Sequence, residues 1–405
     1  MASPLALQPA AEPSRRATLA TLPVTLLVQA AASAATLAPA VAAPALLPRL
    51  ELGTPAVGVY IAAVYVAAMV SSQWGAAVVK RWGPIRTSQV ALGLCAIGLL
   101  LVSLPYVLAA LLGALLIGAG YGPITPASSH VLARTTPPHR YALVFSIKQT
   151  GVPVGGALAG ALVPVMLAAG GVQWSQLQIA VLCLVGIALA QMLRTELDKG
   201  RDPKSRAPAL AQLARPIRFV LANDRLRRLA LCTLVFSAVQ VCLTSYLVSF
   251  LTHDLSWTLV AAGLALAVTN IAGVCGRVLW GVLADRTGSA RWVLFGLALV
   301  MALASVAMSV LQTDTSQFVV IVLVAVYGAS AVGWNGVYLA TVARLVPIEQ
   351  AAAATSGSLF FTFFGVVLGP PLFGLIAGAS NDLGIAYALL AVPLLWTLWT
   401  LYRRR

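Results

Sequence analysis

The sequence predicts an all-α membrane protein with twelve transmembrane helices in two pseudo-symmetric six-helix bundles. Composition is the first reason, because 60% of the 405 residues are hydrophobic and only 9% are charged, whereas soluble domains carry roughly 25% charged residues. The second reason is that the apolar residues form twelve runs of about 20 residues or more, enough to cross roughly 30 Å of hydrocarbon. The third is that the two halves repeat one another in the spacing of glycine, arginine and proline residues.

The first half contains six apolar runs. Residues 1–16 are polar and end in Arg15 and Arg16, and the run that follows extends to Pro48. A secretory signal peptide is the competing interpretation, but its apolar core would span roughly 7 to 15 residues, so we interpret this run as the first transmembrane helix. The other five runs lie at about 54–79, 88–105, 107–133, 141–168 and 174–193.

A basic segment that contains prolines follows these runs. Ten Lys and Arg residues and three prolines fall between residues 194 and 228. Six further apolar runs lie at about 229–252, 257–283, 292–311, 317–343, 353–378 and 384–402. We therefore predict an N-terminal six-helix bundle at 1–193, a cytoplasmic basic linker at 194–228 and a C-terminal six-helix bundle at 229–405.

Almost all basic residues lie in loops on one side of the predicted bundle. Apart from those of the linker they are Arg15, Arg16, Lys80, Arg81, Arg86, Arg134, Arg140, Arg286, Arg291, Arg344 and Arg403 to Arg405, whereas Arg49 lies on the other side. An excess of Lys and Arg marks cytoplasmic loops, which predicts a bacterial-type inner-membrane protein with both termini in the cytoplasm. The same distribution accounts for the net charge of +15 without nucleic acid as a partner.

Three sets of residues recur in both halves. Arg81, Gly83 and Arg86 match Arg286, Gly288 and Arg291 at an offset of 205, Gly118, Arg134 and Pro137 match Gly328, Arg344 and Pro347 at 210, and Gly151, Gly155 and Gly160 match Gly365, Gly369 and Gly374 at 214. The offset drifts slowly along the chain, as a diverged duplication with small loop insertions would leave it. The halves are therefore predicted to be structural repeats.

The most specific motif is a loop between two apolar runs of the second half. It consists of Gly281, three residues, Asp285, Arg286, one residue and Gly288, with Arg291 beyond. This resembles the loop signature of the major facilitator superfamily, and the twelve runs, the basic linker and the glycine-rich fifth and eleventh helices extend the resemblance over essentially the whole chain. The resemblance implies two six-helix bundles that rock around a central site.

The first-half copy of this signature is incomplete. Arg81, Gly83 and Arg86 are present, but Lys80 stands where the acidic residue belongs. In the second half Asp285 can accept hydrogen bonds from helix N-terminal amides or pair with a basic residue. We therefore predict that these two loops form a gate in which the acidic residue acts on one side only.

Two basic residues, Lys148 and Arg277, lie inside predicted spans, where a charge costs about 2.5 to 3.5 kcal/mol at the centre. Lys148 lies eight residues after Arg140, and Arg277 lies eight before Asp285, so both are about 12 Å inside the membrane. In the family that the sequence resembles, the fifth and eighth helices face each other, which would bring both cations to one anion site. Lys148 could instead extend to the cytoplasm, because side chains tilt towards the N-terminus of their helix.

An arginine in the eighth helix shortly before the loop signature is similar to the arrangement in oxalate/formate exchangers and monocarboxylate carriers, whose arginine binds the substrate carboxylate. Polar residues at mid-span are further candidates, since helices 1, 4, 7 and 10 line the cavity in the resembled family. The candidates are Gln29, Tyr121, Gln149, Gln240, Asn270, Trp334, Asn335 and Tyr338. Each could orient a small polar substrate or hold helices together by hydrogen bonds.

These residues predict a secondary transporter of a small organic anion, best matched by a carboxylate, and not an enzyme. No Asp or Glu lies in the central part of any run, so a cationic substrate would find no counter-ion there. The alternative is efflux of amphipathic drugs or other small molecules by proton antiport, because Gly151, Pro153, Gly155 and Gly156 resemble the glycine-proline motif of such carriers with a different spacing. We expect a monomer without cofactor or metal, with a coupling proton as a possible second partner, and five buried cysteines.

Overall fold

The computed structural model describes residues 15–52, 55–203, 205, 214–380 and 382–402, and this part of the chain is helical without strands. Its first-half helices are α1 (Arg15–Val41), α2 (Ala43–Arg49), α3 (Pro55–Trp82), α4 (Pro84–Val102), α5 (Val107–Thr135), α6 (Tyr141–Gln149) and α7 (Gly151–Leu197). The remaining helices are α8 (Arg215–Ala222), α9 (Asp224–His253), α10 (Leu259–Thr287), α11 (Ala290–Ser309), α12 (Gln317–Ala331), α13 (Asn335–Arg344), α14 (Ala351–Ser380) and α15 (Leu383–Tyr402).

The number of transmembrane spans agrees with the predicted fold class. Among the described residues, 11 helical stretches are long and apolar enough to cross a membrane. The longest, Pro138–Leu197, contains two spans, because the backbone leaves the helical region at Gly170 and Gly171. Gly171 has a φ of 77°, which glycine adopts without steric cost. The prediction of an all-α protein with twelve spans is therefore confirmed.

Some helix boundaries differ from the predicted ones. The first helix ends at Val41 and is followed by the separate helix α2, while the sixth span continues to Leu197. The linker contains helix α8, and α9 begins at Asp224 because the side chain of Asn223 accepts hydrogen bonds from two amides of its first turn, as N-cap residues do. The assignment of 1–193 and 229–405 as separate bundles stays a prediction.

Several basic residues that we used to predict orientation lie outside the described residues or have no described side chain. They are Arg15, Arg16, Lys204, Arg206 and Arg403 to Arg405. The loops at 80–86, 134–140, 286–291 and the end of α13 at Arg344 are described. We call the end of the bundle that carries these loops the basic end, and the other end the opposite end.

Buried apolar residues form two main clusters. One cluster extends through the first half from Val28 to Leu197, and the other through the second half from Val220 to Leu401. The second cluster also contains residues of the first half, from the end of α5 and from α6, among them Phe145. Helix α6 is therefore packed into the second half at the basic end.

Two helix interfaces join the halves. In the first seam α3 and α5 pack against α14, and in the second seam α6 packs against α10 and α13. Glycines allow the helices of the second seam to approach each other closely. A Cβ atom on Gly281 would lie 2.7 Å from Oγ of Ser146 and 2.9 Å from the carbonyl oxygen of Ala142. A Cβ atom on Gly336 would overlap the Ser146 backbone. Small residues are what allow such close helix approach in membranes.

Four of the five cysteines are buried, and the expectation for Cys275 was wrong. Cys95, Cys183, Cys232 and Cys242 are buried, whereas Cys275 is exposed. It shares the outer face of α10 with the exposed Ile271 and Leu279. An apolar span can place a cysteine on its outer face because the surrounding hydrocarbon is as apolar as a protein core.

Candidate functional site

Two fully buried cations mark the inner limit of the second seam. Lys148 and Arg277 are each 1% exposed, and Gln149 contacts both side chains. Neither is among the ion pairs formed by the described residues. Buried charge without a counter-charge is expensive in a membrane and marks functional positions.

Lys148 is held by amide oxygens of both its own helix and α1. Its Nζ donates to Oε1 of Gln29 at 2.7 Å and to Oε1 of Gln149 at 3.1 Å. Gln29 also accepts from Thr125 at 3.4 Å and donates to Ser33 at 3.4 Å. In this conformation the ammonium group therefore does not extend to the basic end, and two of its three protons have partners.

Arg277 is bound to backbone carbonyls from both halves. Its Nε donates to the carbonyl oxygen of Val332 at 3.0 Å, and its NH1 group donates to the carbonyl oxygen of Gln149. Val332 lies in the interruption between α12 and α13. A guanidinium group has five N–H donors, so these two bonds leave three for another partner.

The polar candidates of the second half form a separate group. Oε1 of Gln240 accepts from Nε1 of Trp334 at 3.1 Å and from Nδ2 of Asn335 at 3.3 Å. Trp334 packs edge-on against Tyr338 at 5.6 Å between ring centroids, and both are buried. Asn270 donates to the Leu266 carbonyl one turn earlier at 2.9 Å, so its amide is engaged within its own helix.

Tyr121 belongs to an aromatic cluster that crosses the first seam. Its ring centroid lies 6.4 Å from that of Tyr65 and 6.2 Å from that of Phe363, and the latter two are 6.0 Å apart. Tyr65 and Phe363 were not among the predicted residues, because an aromatic residue within an apolar run has the same sequence signal as an ordinary core residue. Aromatic pairs of this kind stabilise contacts by about 0.5 to 1.5 kcal/mol beyond their buried area.

Asp285 of the loop signature connects the two halves at the basic end. Its Oδ1 accepts from the amide of Ala142 at 3.1 Å and from Arg344 at 2.6 Å, and its Oδ2 accepts from the amide of Leu143 at 2.8 Å. Arg344 also donates to the carbonyl oxygen of Pro138 at 2.8 Å. Both kinds of donor considered from the sequence, helix-end amides and a basic residue, are present at once.

In the first half a different carboxylate takes this capping role. Asp198, at the end of α7, accepts from the amides of Ile85 at 2.9 Å and Arg86 at 3.1 Å. It packs so closely against Gly83 that a Cβ there would overlap it. Burial raises the pKa of the Asp198 carboxyl, and the two amide bonds act in the opposite direction. These contacts stay within one half, so Asp198 does not fasten a seam.

The remaining signature residues have structural or exposed positions. Gly288 ends α10 with a φ of 62°, and Arg291 donates to the carbonyl oxygens of Leu401 at 2.5 Å and Tyr402 at 2.7 Å. Arg86 and Arg286 are exposed, and Arg81 is half-buried. Arg291 therefore caps the end of α15.

The hydrogen bonds that we describe between the halves all lie between the basic end and the level of Arg277. Besides those of Asp285, Arg344 and Arg277, Nε2 of Gln73 donates to the carbonyl oxygen of Ser356 at 3.0 Å across the first seam. This conformation is therefore closed at the basic end, with the buried cations at the inner limit of the closed region.

The chain matches known protein sequences over most of its length. The family model described as Major Facilitator Superfamily matches residues 25–370. Two uncharacterized MFS-type transporters of Mycobacterium tuberculosis, from strains CDC 1551 and H37Rv, are 27% identical over 282 residues. These residues are 68% of this chain and 62% of each relative, so the match spans less than two thirds of the relatives' length.

Solved structures share the fold. The human organic anion transporter MFSD10 has a TM-score of 0.78 at 14% identity, covering 96% of this chain and 100% of that chain. The Escherichia coli fucose:proton symporter FucP has a TM-score of 0.69 at 15% identity, covering 94% and 97%. A structure of FucP in the outward conformation has a TM-score of 0.72 at 14% identity, covering 95% and 99%. At these identities the likeness is one of fold.

Proposed function

Because the chain belongs to the major facilitator superfamily, we propose that it is a secondary transporter that moves a small organic anion, a carboxylate, across the inner membrane by alternating access. The observation that carries the choice of an anion is the burial of Lys148 and Arg277 without an ion-pair partner in the described part of the chain. An anion that binds between them offsets the cost of burying both charges.

The free donors of the two cations suit a carboxylate. Arg277 has three N–H donors left, and a guanidinium group can bind a carboxylate through two parallel hydrogen bonds. Lys148 has one proton left, and it lies within the same buried cluster because Gln149 contacts both cations. A monocarboxylate would bind Arg277 first, and a dianion would bridge both residues.

The direction of the molecule in the membrane is part of the proposal. The described loops at the basic end carry most of the Lys and Arg residues outside the spans, which favours the cytoplasm for that side. The structure would then be the conformation closed to the cytoplasm. Transport needs no metal site in this scheme, and either a proton or a second anion can provide the coupling.

The test is a screen followed by substitution of the two cations. The purified protein is heated with carboxylates, other anions and cationic dyes, and the anion that raises its melting temperature most is then used for equilibrium binding at two salt concentrations. We expect Arg277→Lys to weaken binding about tenfold and Arg277→Gln about a hundredfold, because charge-assisted hydrogen bonds contribute roughly 1.5 to 3 kcal/mol each. Lys148→Gln should weaken a monoanion less than a dianion.

Arg225→Gln is the matched control, because Arg225 is exposed in the first turn of α9, and its replacement removes one positive charge without changing the groups that bind Lys148 or Arg277. It should bind the anion as tightly as the parent. If Arg277→Gln also binds as tightly as the parent, the anion site is refuted, and Arg277 acts only as a structural donor to carbonyls. Stabilisation by cationic dyes alone would favour drug efflux instead.

A further inference from the structure

Pro153 releases one backbone carbonyl at the level of the cations. Helices α6 and α7 follow each other with Thr150 between them, and the Thr150 amide donates to the Ser146 carbonyl at 3.2 Å. The Val154 amide donates to the Thr150 carbonyl at 3.0 Å. In a continuous helix the Gln149 carbonyl would accept from residue 153, but Pro153 has no N–H. The helix path is kept, and this one acceptor is left free.

Arg277 of the other half uses that free acceptor. Its NH1 group donates to the Gln149 carbonyl, while the Gln149 side chain accepts from Lys148 at 3.1 Å. One residue thus contacts both cations, through its backbone on one side and its amide on the other. An anion that binds Arg277 would therefore approach a guanidinium group that already donates to an oxygen of partial negative charge, the Gln149 carbonyl.

The arrangement is specific to the second seam. At the offset of 214 that relates the fifth and eleventh helices, Val367 stands in the place of Pro153, and at the offset of 205 Ser72 stands in the place of Arg277. The first seam instead has the neutral bond from Gln73 to the Ser356 carbonyl. The repeat therefore offers an internal comparison in which both the proline and the arginine are missing.

We propose that Pro153 is a positioning residue that keeps the Gln149 carbonyl available as an internal competitor of the substrate. When the site is empty, Arg277 holds this carbonyl and keeps the second seam closed. When an anion binds the remaining donors of Arg277, it neutralises the guanidinium charge, so the bond from NH1 to the carbonyl weakens and the seam loosens at the basic end. The identity of the competing ligand as an anion rests on the proposed function, whereas the role of the carbonyl does not.

Two amides report directly on the second seam. The amides of Ala142 and Leu143 donate to Asp285 across it, so their hydrogen exchange measures how often the seam opens. The amides of Ile85 and Arg86 donate to Asp198 within one half. They are the internal reference, because opening of the seam leaves their acceptor in place.

The first experiment needs no ligand and compares two proline substitutions in α7 by hydrogen–deuterium exchange and mass spectrometry. Pro153→Ala restores the donor for Gln149 and should raise exchange at the Ala142–Leu143 amides about three- to tenfold, since the carbonyl is drawn back into the helix. Pro164→Ala makes the same chemical change at an exposed position of the same helix and should leave those amides unchanged. Both changes favour helix formation, so unfolding cannot produce the difference.

A second variant keeps the test independent of the proline. Arg277→Gln should also raise exchange at Ala142 and Leu143, and adding Pro153→Ala to it should raise exchange no further, because both changes remove the same bond. Additive effects of the two changes would overturn the proposal. Equal exchange in Pro153→Ala and Pro164→Ala would overturn it as well, whatever the protein binds.

The ligand arm uses acetate, lactate, benzoate and succinate as probes. Any of these that binds should raise exchange at Ala142 and Leu143 in the parent, but by a smaller factor in Pro153→Ala, where the seam is already loosened. Binding without a change in exchange would refute the competition while leaving the proposed function intact. If none of the carboxylates binds, the proposed function and the competition fail together, and the ligand-free comparison still decides whether the carbonyl closes the seam.

Discussion

Replacing Asp285 with Asn should shift the protein away from the conformation that is closed at the basic end. The carboxylate accepts three hydrogen bonds, from the amides of Ala142 and Leu143 and from Arg344. Asparagine keeps one acceptor oxygen, but it loses the charge and turns an NH2 group towards a donor. The change is nearly isosteric, so packing of the seam is preserved.

The size of the effect follows from the number and exposure of these bonds. Hydrogen bonds to charged groups contribute about 1.5 to 3 kcal/mol each, but the side chains of Asp285 and Arg344 are 12% and 25% exposed, so solvent screens the ion pair. We expect the closed conformation to lose about 2 kcal/mol relative to the open one, which changes their ratio about 30-fold.

Uptake into reconstituted vesicles and equilibrium binding, both with the anion selected by the screen, separate gating from substrate recognition. Asp285→Asn should reduce uptake much more than binding, because Asp285 does not contact the two buried cations. Asp198→Asn is the matched control: it removes the same charge from two helix-start amides but within one half, so it should lower the melting temperature without changing the ratio of uptake to binding. An uptake rate equal to that of the parent for Asp285→Asn would refute the gating role.

Two further predictions concern stability. Gly155→Val should destabilise the protein by about 1 to 3 kcal/mol through overpacking, since a Cβ there would lie 2.7 Å from Cβ of Ser33, and Gly369→Val should act similarly. Gly160→Val is the control, because nothing lies within 4 Å of a Cβ at that position, and it should not destabilise the protein. Equal melting temperatures for all three variants would show that these glycines are not at tight contacts. Arg291→Gln should lower the free energy of unfolding by about 1 kcal/mol, because it removes a cation from the end of α15. The measurement is the melting temperature. A melting temperature equal to that of the parent would mean that the bonds of Arg291 to Leu401 and Tyr402 contribute nothing to stability.

The sequence predicts the twelve-helix fold well because span length and repeat spacing are properties of single segments. Helix boundaries are harder to predict from the sequence. The extra turn of α9 before residue 229 depends on the cap formed by Asn223, and a search for runs of apolar residues does not detect such a cap. Lys148 and Arg277 stand out in the sequence because charge is rare in such runs. What the sequence cannot supply directly is their partners, because these come from other helices.

The contacts of Arg277 show which features of the site can be predicted from the sequence and which cannot. A proline four residues after Gln149 indicates a free carbonyl from the sequence alone, but only the packed structure brings Arg277 to it. The capping role of Asp198 is not visible in the sequence for a similar reason, since Ile85 lies 113 positions away along the chain. Local signals thus identify groups that need a partner, and tertiary packing decides which partner they receive.

The two seams are held by different kinds of contact, and this difference affects how the two halves move relative to each other. The second seam is held by the Asp285 carboxylate and by the guanidinium groups of Arg277 and Arg344. In the described residues the first seam is held by Gln73 and by aromatic packing around Tyr121. Neutral and aromatic contacts can slide and re-form with little change in energy, but charged bonds break over a short distance. We therefore expect α3 and α14 to separate gradually, whereas α6 and α10 stay together until the bonds of Arg277 and Asp285 break and then separate abruptly.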